Sequence, residues 1–286
     1  MGVRGHAFMS STRASHVTRP TTIAMPRGSG WRALWMPLFL VGLAHSESVA
    51  INAADGSTAP TGDVAGVAPG EGMAPSKAKE LYDGWADTYT RSVDDWGYEA
   101  PERVAQILER LCEPQGRTVK LQILDAGAGD GLTGGALRQH GFANYAARIT
   151  GIDLSPRLLD IARQRAVYDE LAEVDLSQPL AYEDEAFDVV NCIGVLSYLS
   201  AKSGVLREFA RVSRRGSGLI AFTLRTDHAP AWAAERQALV DDGTWELVEE
   251  SDPLPYLPHN PAYGTEILVV AYVYRAKASR AADDDA

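Results

Sequence analysis

The chain has 286 residues, is 45% apolar, and carries 27 Lys and Arg against 38 Asp and Glu, a net charge of −11. Residues 1–46 hold five Arg and no acid, so the remainder has 22 cationic and 38 acidic side chains, a net charge of −16. So acidic a surface is a poor match for a phosphate backbone, whose binding rests on cationic contacts, and no nucleic-acid partner is expected. Cys112 and Cys192 give neither a metal-ligand spacing nor a disulfide framework, which suits a reduced compartment and predicts no metal site.

Residues 1–46 are rich in Ser, Thr and Arg and end in the apolar run 33–44, which Pro37 interrupts. Twelve helical residues span roughly 18 Å, short of the ~30 Å hydrocarbon core, so no transmembrane span is expected. Basic residues, a short apolar run and then Gly42-Leu43-Ala44 before a polar segment fit a cleavable targeting sequence, with a disordered extension as the alternative. An organelle is thus a better expectation than the cytoplasm. Residues 47–75, mostly Ala, Gly, Ser, Thr and Pro, read as a flexible linker, and residues 76–286 as the ordered domain.

From Lys77 to Trp96 the spacing is helical, with Tyr82, Trp85 and Tyr89 at i, i+3 and i+7 on one face. That stripe either packs on the core or closes over a bound ligand. A second helix follows Pro101, with Val104, Ile107, Leu108 and Leu111 on its buried face. Residues 119–126 then form an apolar strand that ends in Asp125 and runs into glycines before a helix over 132–140. Strand and helix alternate from there. Strands are expected over 147–153, 168–175, 187–193 and 219–224, and helices from Ser155-Pro156, around 205–212 and over 231–242. Residues 245–251 and the strand 266–275 close the chain, separated by a Pro-rich loop. Such alternation predicts an α/β, Rossmann-like, doubly wound and mostly parallel sheet in a three-layer αβα arrangement, with ligands at the carboxyl ends of the strands.

The glycine turn suits two ligands. Gly129-Asp130-Gly131-Leu132-Thr133-Gly134 fits the G-x-G-x-x-G pattern that cradles a dinucleotide pyrophosphate. S-adenosylmethionine (AdoMet) would instead place an ammonium, a carboxylate and a sulfonium there. Asp125, just before Gly127, repels phosphate but can accept hydrogen bonds from an ammonium, which favours AdoMet. Asp153 and Asp175 end the next two strands and converge with Asp125 on one cleft. Asp153 is placed to accept from ribose hydroxyls, a role shared by NAD and AdoMet enzymes, and Asp175 to accept from an adenine amino group.

Asp125-Ala-Gly-Ala-Gly-Asp-Gly131, Gly151-Ile-Asp-Leu-Ser-Pro156, Asp175-Leu176 and Phe187-Asp-Val-Val-Asn-Cys-Ile-Gly194 resemble the successive motifs of class I AdoMet-dependent methyltransferases. Tyr82-Asp-Gly-Trp-Ala-Asp-Thr-Tyr89, Gly194-Val-Leu-Ser-Tyr198 and Thr223-Leu-Arg-Thr226 are similar to the methyltransferase-like 27 group, named for the Williams-Beuren region. The resemblance implies a seven-stranded sheet whose last strand inserts antiparallel. It implies cofactor contacts from Asp125, Ala126, Gly127, Ala128 and Gly129, from Asp153 and Leu154 at the ribose, and from Asp175 and Leu176 at the adenine. Ile193 and Gly194 would line the wall near the sulfonium, and Tyr82, Trp85 and Tyr89 would form a lid.

Methyl transfer needs a base only when the acceptor must lose a proton of high pKa, because the methyl carbon is already activated by positive sulfur. Asp227, His228 and His259 are the weak candidates for one. Tyr198 and Arg225 are expected in the acceptor pocket. The Asn-Pro-Pro-Tyr or Asp-Pro-Pro-Tyr clamp of many amino-group methyltransferases is replaced by Asn191-Cys-Ile-Gly194, which argues against base flipping. A small-molecule acceptor is therefore expected first and a protein acceptor second. An NAD-dependent oxidoreductase and a non-catalytic AdoMet-binding protein are the alternatives.

Overall fold

The computed structural model describes residues 67–112, 120–142, 147–263 and 265–278. The targeting segment and most of the linker lie outside them. Residues 67–74, at the end of the segment read as a linker, are held to residues 198–201 by backbone hydrogen bonds. The Met73 N–H donates to the Tyr198 carbonyl at 2.8 Å and the Ala201 N–H to that of Gly70 at 2.9 Å.

Helices α1 (Pro75–Asp95) and α2 (Ala100–Cys112) precede β1 (Gln122–Ala126) and α3 (Leu132–Leu137). Next come β2 (Arg148–Asp153), α4 (Pro156–Arg165), β3 (Glu170–Glu173) and β4 (Val189–Cys192). The chain continues through α5 (Val205–Val212), β5 (Leu219–Arg225), α6 (Ala229–Asp241), β6 (Trp245–Glu250), β7 (Leu254–Pro255) and β8 (Leu268–Ala276). The sheet order is β3-β2-β1-β4-β5-β8-β6, parallel except for β8, which runs antiparallel between β5 and β6. This is the expected Rossmann-like arrangement with one addition. The two-residue β7 also pairs with β8, giving eight strands rather than seven.

Period-two burial of β5 shows why the sheet needs cover on both faces. Leu219 and Ala221 join a cluster with Val104, Leu108 and Leu137 of α2 and α3, whereas Ile220, Phe222 and Leu224 join one with Leu206, Phe209 and Trp232 of α5 and α6. At the far edge, Trp245 is fully buried, stacks on Tyr274 with ring centroids 4.2 Å apart, and donates its indole N–H to the Arg236 carbonyl at 3.2 Å.

Helix α1 crosses the carboxyl ends of the parallel strands, where strand-end side chains converge. Its polar ridge is spaced i, i+4, i+8 and i+11. Lys79 pairs with Glu173, Asp83 accepts from Ser155 and Asp87 pairs with Arg157 of α4, and Thr90 donates to Asp130. The Asp83 carbonyl also accepts from Arg157 at 2.8 Å. Tyr82, Trp85, Tyr89 and Val93, on another face, look inward.

Two perturbations should separate the global core from this outer attachment. Trp245→Ala is expected to destabilise the whole domain by about 3–5 kcal/mol, read as a lowered denaturant midpoint at unchanged slope. The double change Asp83→Ala with Asp87→Ala removes exposed ties worth about 0.2–1 kcal/mol each. Amide exchange in α1 should then quicken several-fold while the global midpoint stays put.

Candidate functional site

The glycine turn sits where β1 leaves the sheet, and its donors are spent internally. The Gly127 and Ala128 N–H groups both donate to the Ile152 carbonyl at the end of β2, at 2.7 and 2.9 Å. The Gly129 N–H donates to Asp153 Oδ2 at 2.8 Å, and the Gly131 N–H to the Ala128 carbonyl at 2.9 Å. Gly127 adopts φ 85°, and a Cβ there would meet Val195 Cγ2 at 2.2 Å, so the position excludes any side chain.

Beneath the turn lies Asp125, which is fully buried. Its Oδ1 accepts from Asn191 Nδ2 and its Oδ2 from the Tyr168 hydroxyl, both at 2.6 Å. Burial pushes its carboxyl up to about 7, against the pull of these two donors and with Asp153 nearby adding to the rise. Asp125 does not line the cavity above the turn, and neither do Ala126 and Ala128, which are buried in the core. With both oxygens engaged by Asn191 and Tyr168, Asp125 supports the turn from below. The Tyr168 hydroxyl also accepts from the Gly134 N–H at 3.2 Å, and the ring covers the first turn of α3 so closely that a Cβ on Gly134 would meet it at 2.5 Å.

Gly127, Gly129, Asp153, Leu154, Asp175, Leu176, Ile193 and Gly194 all line one cavity at the strand ends. Asp153 is oriented by its backbone donors: Oδ2 accepts from Gly129, and Oδ1 accepts from the Ser155 N–H at 2.8 Å. Burial raises its carboxyl pKa, and those N–H groups oppose the rise. Asp175 Oδ1 accepts from the Ser177 N–H at 2.8 Å. Gly194 is fixed by donation from its N–H to Thr223 Oγ1 at 2.9 Å.

Tyr82, Trp85 and Tyr89 line the opposite wall, and Tyr198 meets Tyr82 edge-on at 5.4 Å. The aromatic wall extends beyond the expected residues to Trp96, Tyr98, Tyr256 and Tyr263, with Val93, Leu257 and Asn260 between them. The signal for the second group was the pair of tyrosines and the Asn inside the Pro-rich loop. Arg225 is not part of this lining. Its guanidinium lies 5.4 and 5.0 Å from the Tyr256 and Tyr263 ring centroids and binds Asp227, so it backs the loop instead of facing an acceptor.

None of the three base candidates reaches the cavity lining. Burial lifts the Asp227 carboxyl, but its bonds to Arg225 outweigh that and hold it below the usual range. His228 is buried at the start of α6, and His259 is exposed with Nδ1 3.3 Å from the Asp95 carbonyl. Four of the cavity tyrosines are poor bases too. Burial, with neighbouring tyrosines adding to it, raises the hydroxyls of Tyr82, Tyr98 and Tyr198 well above the ordinary value, and burial with the Asp130 charge does the same for Tyr89.

Comparison with known proteins gives this site a family context. The chain is 34% identical over 110 residues to the demethylmenaquinone methyltransferase of Tropheryma whipplei (strain Twist), a match covering 38% of this chain and 44% of that protein. It is 34% identical over 103 residues to the malonyl-acyl-carrier-protein O-methyltransferase of Serratia marcescens, covering 36% and 38%. The chain thus spans less than half the length of these curated relatives. Among solved structures, the cyclase SpnF shares the fold with a TM-score of 0.53 at 16% identity, covering 72% of this chain and 98% of that one. Residues 124–221 match the family model described as a methyltransferase domain, a segment that carries Asp125, the glycine turn, Asp153, Asp175 and Gly194 and leaves α1 and the 256–263 loop outside it.

Proposed function

We propose that the protein transfers a methyl group from AdoMet to a small-molecule acceptor. The observation that carries this reading is the state of the glycine turn. A pyrophosphate needs free N–H groups at the turn and an open helix N-terminus. Here the N–H groups of Gly127, Ala128, Gly129 and Gly131 are all engaged, and Tyr168 covers the start of α3. A turn whose donors are spent offers a ligand its carbonyl oxygens, which suit an ammonium and a sulfonium. This disfavours the oxidoreductase alternative.

The residues fit the donor along its length. Asp153 keeps a lone pair on each oxygen beyond its backbone bonds, enough for two ribose hydroxyls. Asp175 and Leu176 frame the adenine, and Ile193 and Gly194 form the wall beside the sulfonium. Bound there, AdoMet supplies a methyl carbon on positive sulfur. An acceptor lone pair held in line with the carbon–sulfur bond would take that methyl, the bonding pair staying with sulfur. The protein's part is to hold the two in line and exclude water, which α1 and the 256–263 loop do from above. Asp153 and Asp175 are taken up by the donor and none of the three base candidates lines the cavity, so on this reading positioning and desolvation carry the acceleration.

The names of the relatives, which act on a demethylated quinone and on a malonyl thioester carrier, support a small acceptor over a nucleic acid. The subgroup motifs support a place in the methyltransferase-like 27 group, since Tyr82, Trp85, Tyr89 and Tyr198 from them all line the cavity.

Calorimetric titration with AdoMet, its demethylated product and NADH tests the reading. The first two should bind and NADH should not; the reverse pattern would overturn it. Asp153→Ala should weaken the product's affinity by about tenfold or more, because two ribose hydroxyls lose a charged acceptor. Asp125 behaves differently. Its folded pKa of about 7 exceeds the ordinary value near 4, so between those limits the folded state holds a proton that the unfolded state lacks. Its contribution to stability is complete below about pH 4 and fades as pH rises through about 7. The stability lost in Asp125→Asn should therefore be larger at pH 5 than at pH 8, measured by denaturant unfolding. An equal or reversed difference would show that the buried carboxyl titrates normally.

A further inference from the structure

The half of the cavity beyond the donor has a chemistry of its own. Trp85, Tyr89, Val93, Trp96, Tyr98, Tyr256, Leu257 and Tyr263 surround it, and the charged residues of the lining, Lys79, Asp153 and Asp175, do not belong to this group. Ring faces and edges meet at centroid distances of 4.7 Å for Trp85 with Tyr89, 5.6 Å for Trp85 with Trp96, 5.8 Å for Tyr98 with Tyr256 and 5.3 Å for Tyr256 with Tyr263. Such walls favour a flat, apolar occupant.

Besides the tyrosine hydroxyls, of which that of Tyr98 also has no hydrogen-bond partner among the described residues, one amide interrupts them. Asn260 is 3% exposed and lines the cavity. Its Oδ1 accepts from the Ala262 N–H at 2.9 Å, which fixes the amide orientation, because the nitrogen could not accept that bond. The Nδ2 group has no hydrogen-bond partner among the described residues. A buried amide donor left unpaired costs about 1–3 kcal/mol, so the position calls for an acceptor atom on a ligand.

Resting on the methyltransferase reading, we infer that the methyl acceptor is an uncharged, flat, conjugated molecule bearing an oxygen, and that Asn260 selects it by donating from Nδ2 to that oxygen. Charge decides against the neighbouring classes. An anionic acceptor would be desolvated without a free cation, since Lys79 of the lining pairs with Glu173 and Arg225 is engaged by Asp227 behind the Tyr256 and Tyr263 rings. A cationic amine could rest on aromatic faces, but it has only donors to offer and would leave Nδ2 unpaired.

Three naphthalenes of similar shape test this on the full chain saturated with the demethylated donor product: 2-acetylnaphthalene (uncharged carbonyl), 2-naphthoate (anion) and 2-naphthylmethylammonium (cation). Calorimetry should find the ketone bound about tenfold or more tightly than either ion. Asn260→Asp keeps the oxygen facing the Ala262 N–H and turns the donor into an acceptor, so it should weaken the ketone about tenfold and strengthen the ammonium. Asn260→Leu, which removes the donor without adding charge, should weaken the ketone alone. In both variants the demethylated product should bind as in the wild type, which reports an intact fold. Tighter binding of either ion to the wild type, no binding of any of the three, or an unchanged order in a variant that still binds the product would overturn the inference. Failure of the wild type to bind the demethylated product, with the ketone preference retained in its absence, would instead strike at the methyl-donor reading.

Discussion

The Ile152 carbonyl and the Asp153 carboxylate together take up the donors of the glycine turn, and the site depends on that closure. β1 and β2 are parallel neighbours, with Ala126 opposite Ile152, so the turn after β1 lies directly above the end of β2. Two N–H groups fold back onto one carbonyl, a third reaches the carboxylate, and a fourth, from Gly131, returns to the Ala128 carbonyl within the turn. A pyrophosphate turn of the same glycine spacing would have its donors outward. The difference lies in hydrogen-bond direction, which the positions of the glycines do not encode.

Tyr168 completes this inversion. Its hydroxyl takes the Gly134 N–H, passes its own hydrogen to Asp125, and fills the space over α3. The first turn of the helix is thereby coupled to a buried acid within the protein. Asp125 and Tyr168 are thus a structural pair beneath the ligand site, and the acid that first suggested an ammonium acts through the shape of the turn above it.

Much of this was legible before any coordinates. The alternation of strand and helix, the Ser155-Pro156 helix start, the placing of Asp153 at the end of β2 and the aromatic face of α1 are local or periodic signals, and periodicity survives translation into structure. Four things were not legible. The destination of Tyr168 depends on the path of the chain between α4 and β3, and nothing in its neighbours marks it. Arg225 reads as a cation at a strand end, yet the acid two residues later turns it away from the cavity. β7 is only two residues long and contains Pro255, which no strand pattern would select. Asn260 and its flanking tyrosines sit in an irregular loop, where the sequence marks a turn and only the fold shows which way it faces.

The two halves of the site differ because they are built differently. The donor half rests on backbone: strand ends in register, turn carbonyls, and acids held by N–H groups, all fixed by the sheet itself. The acceptor half rests on side chains from two segments far apart in the chain, α1 with its extension to Tyr98 and the loop of residues 256–263. The Trp96 carbonyl joins them by accepting from the His259 N–H at 3.2 Å. Both segments lie outside the part that matches the domain model. A sheet that keeps its donor geometry can therefore change acceptors by exchanging an N-terminal helix and one loop. In this chain the helix and the loop build an aromatic chamber around the Asn260 amide, and the proposed choice of acceptor follows from those few side chains.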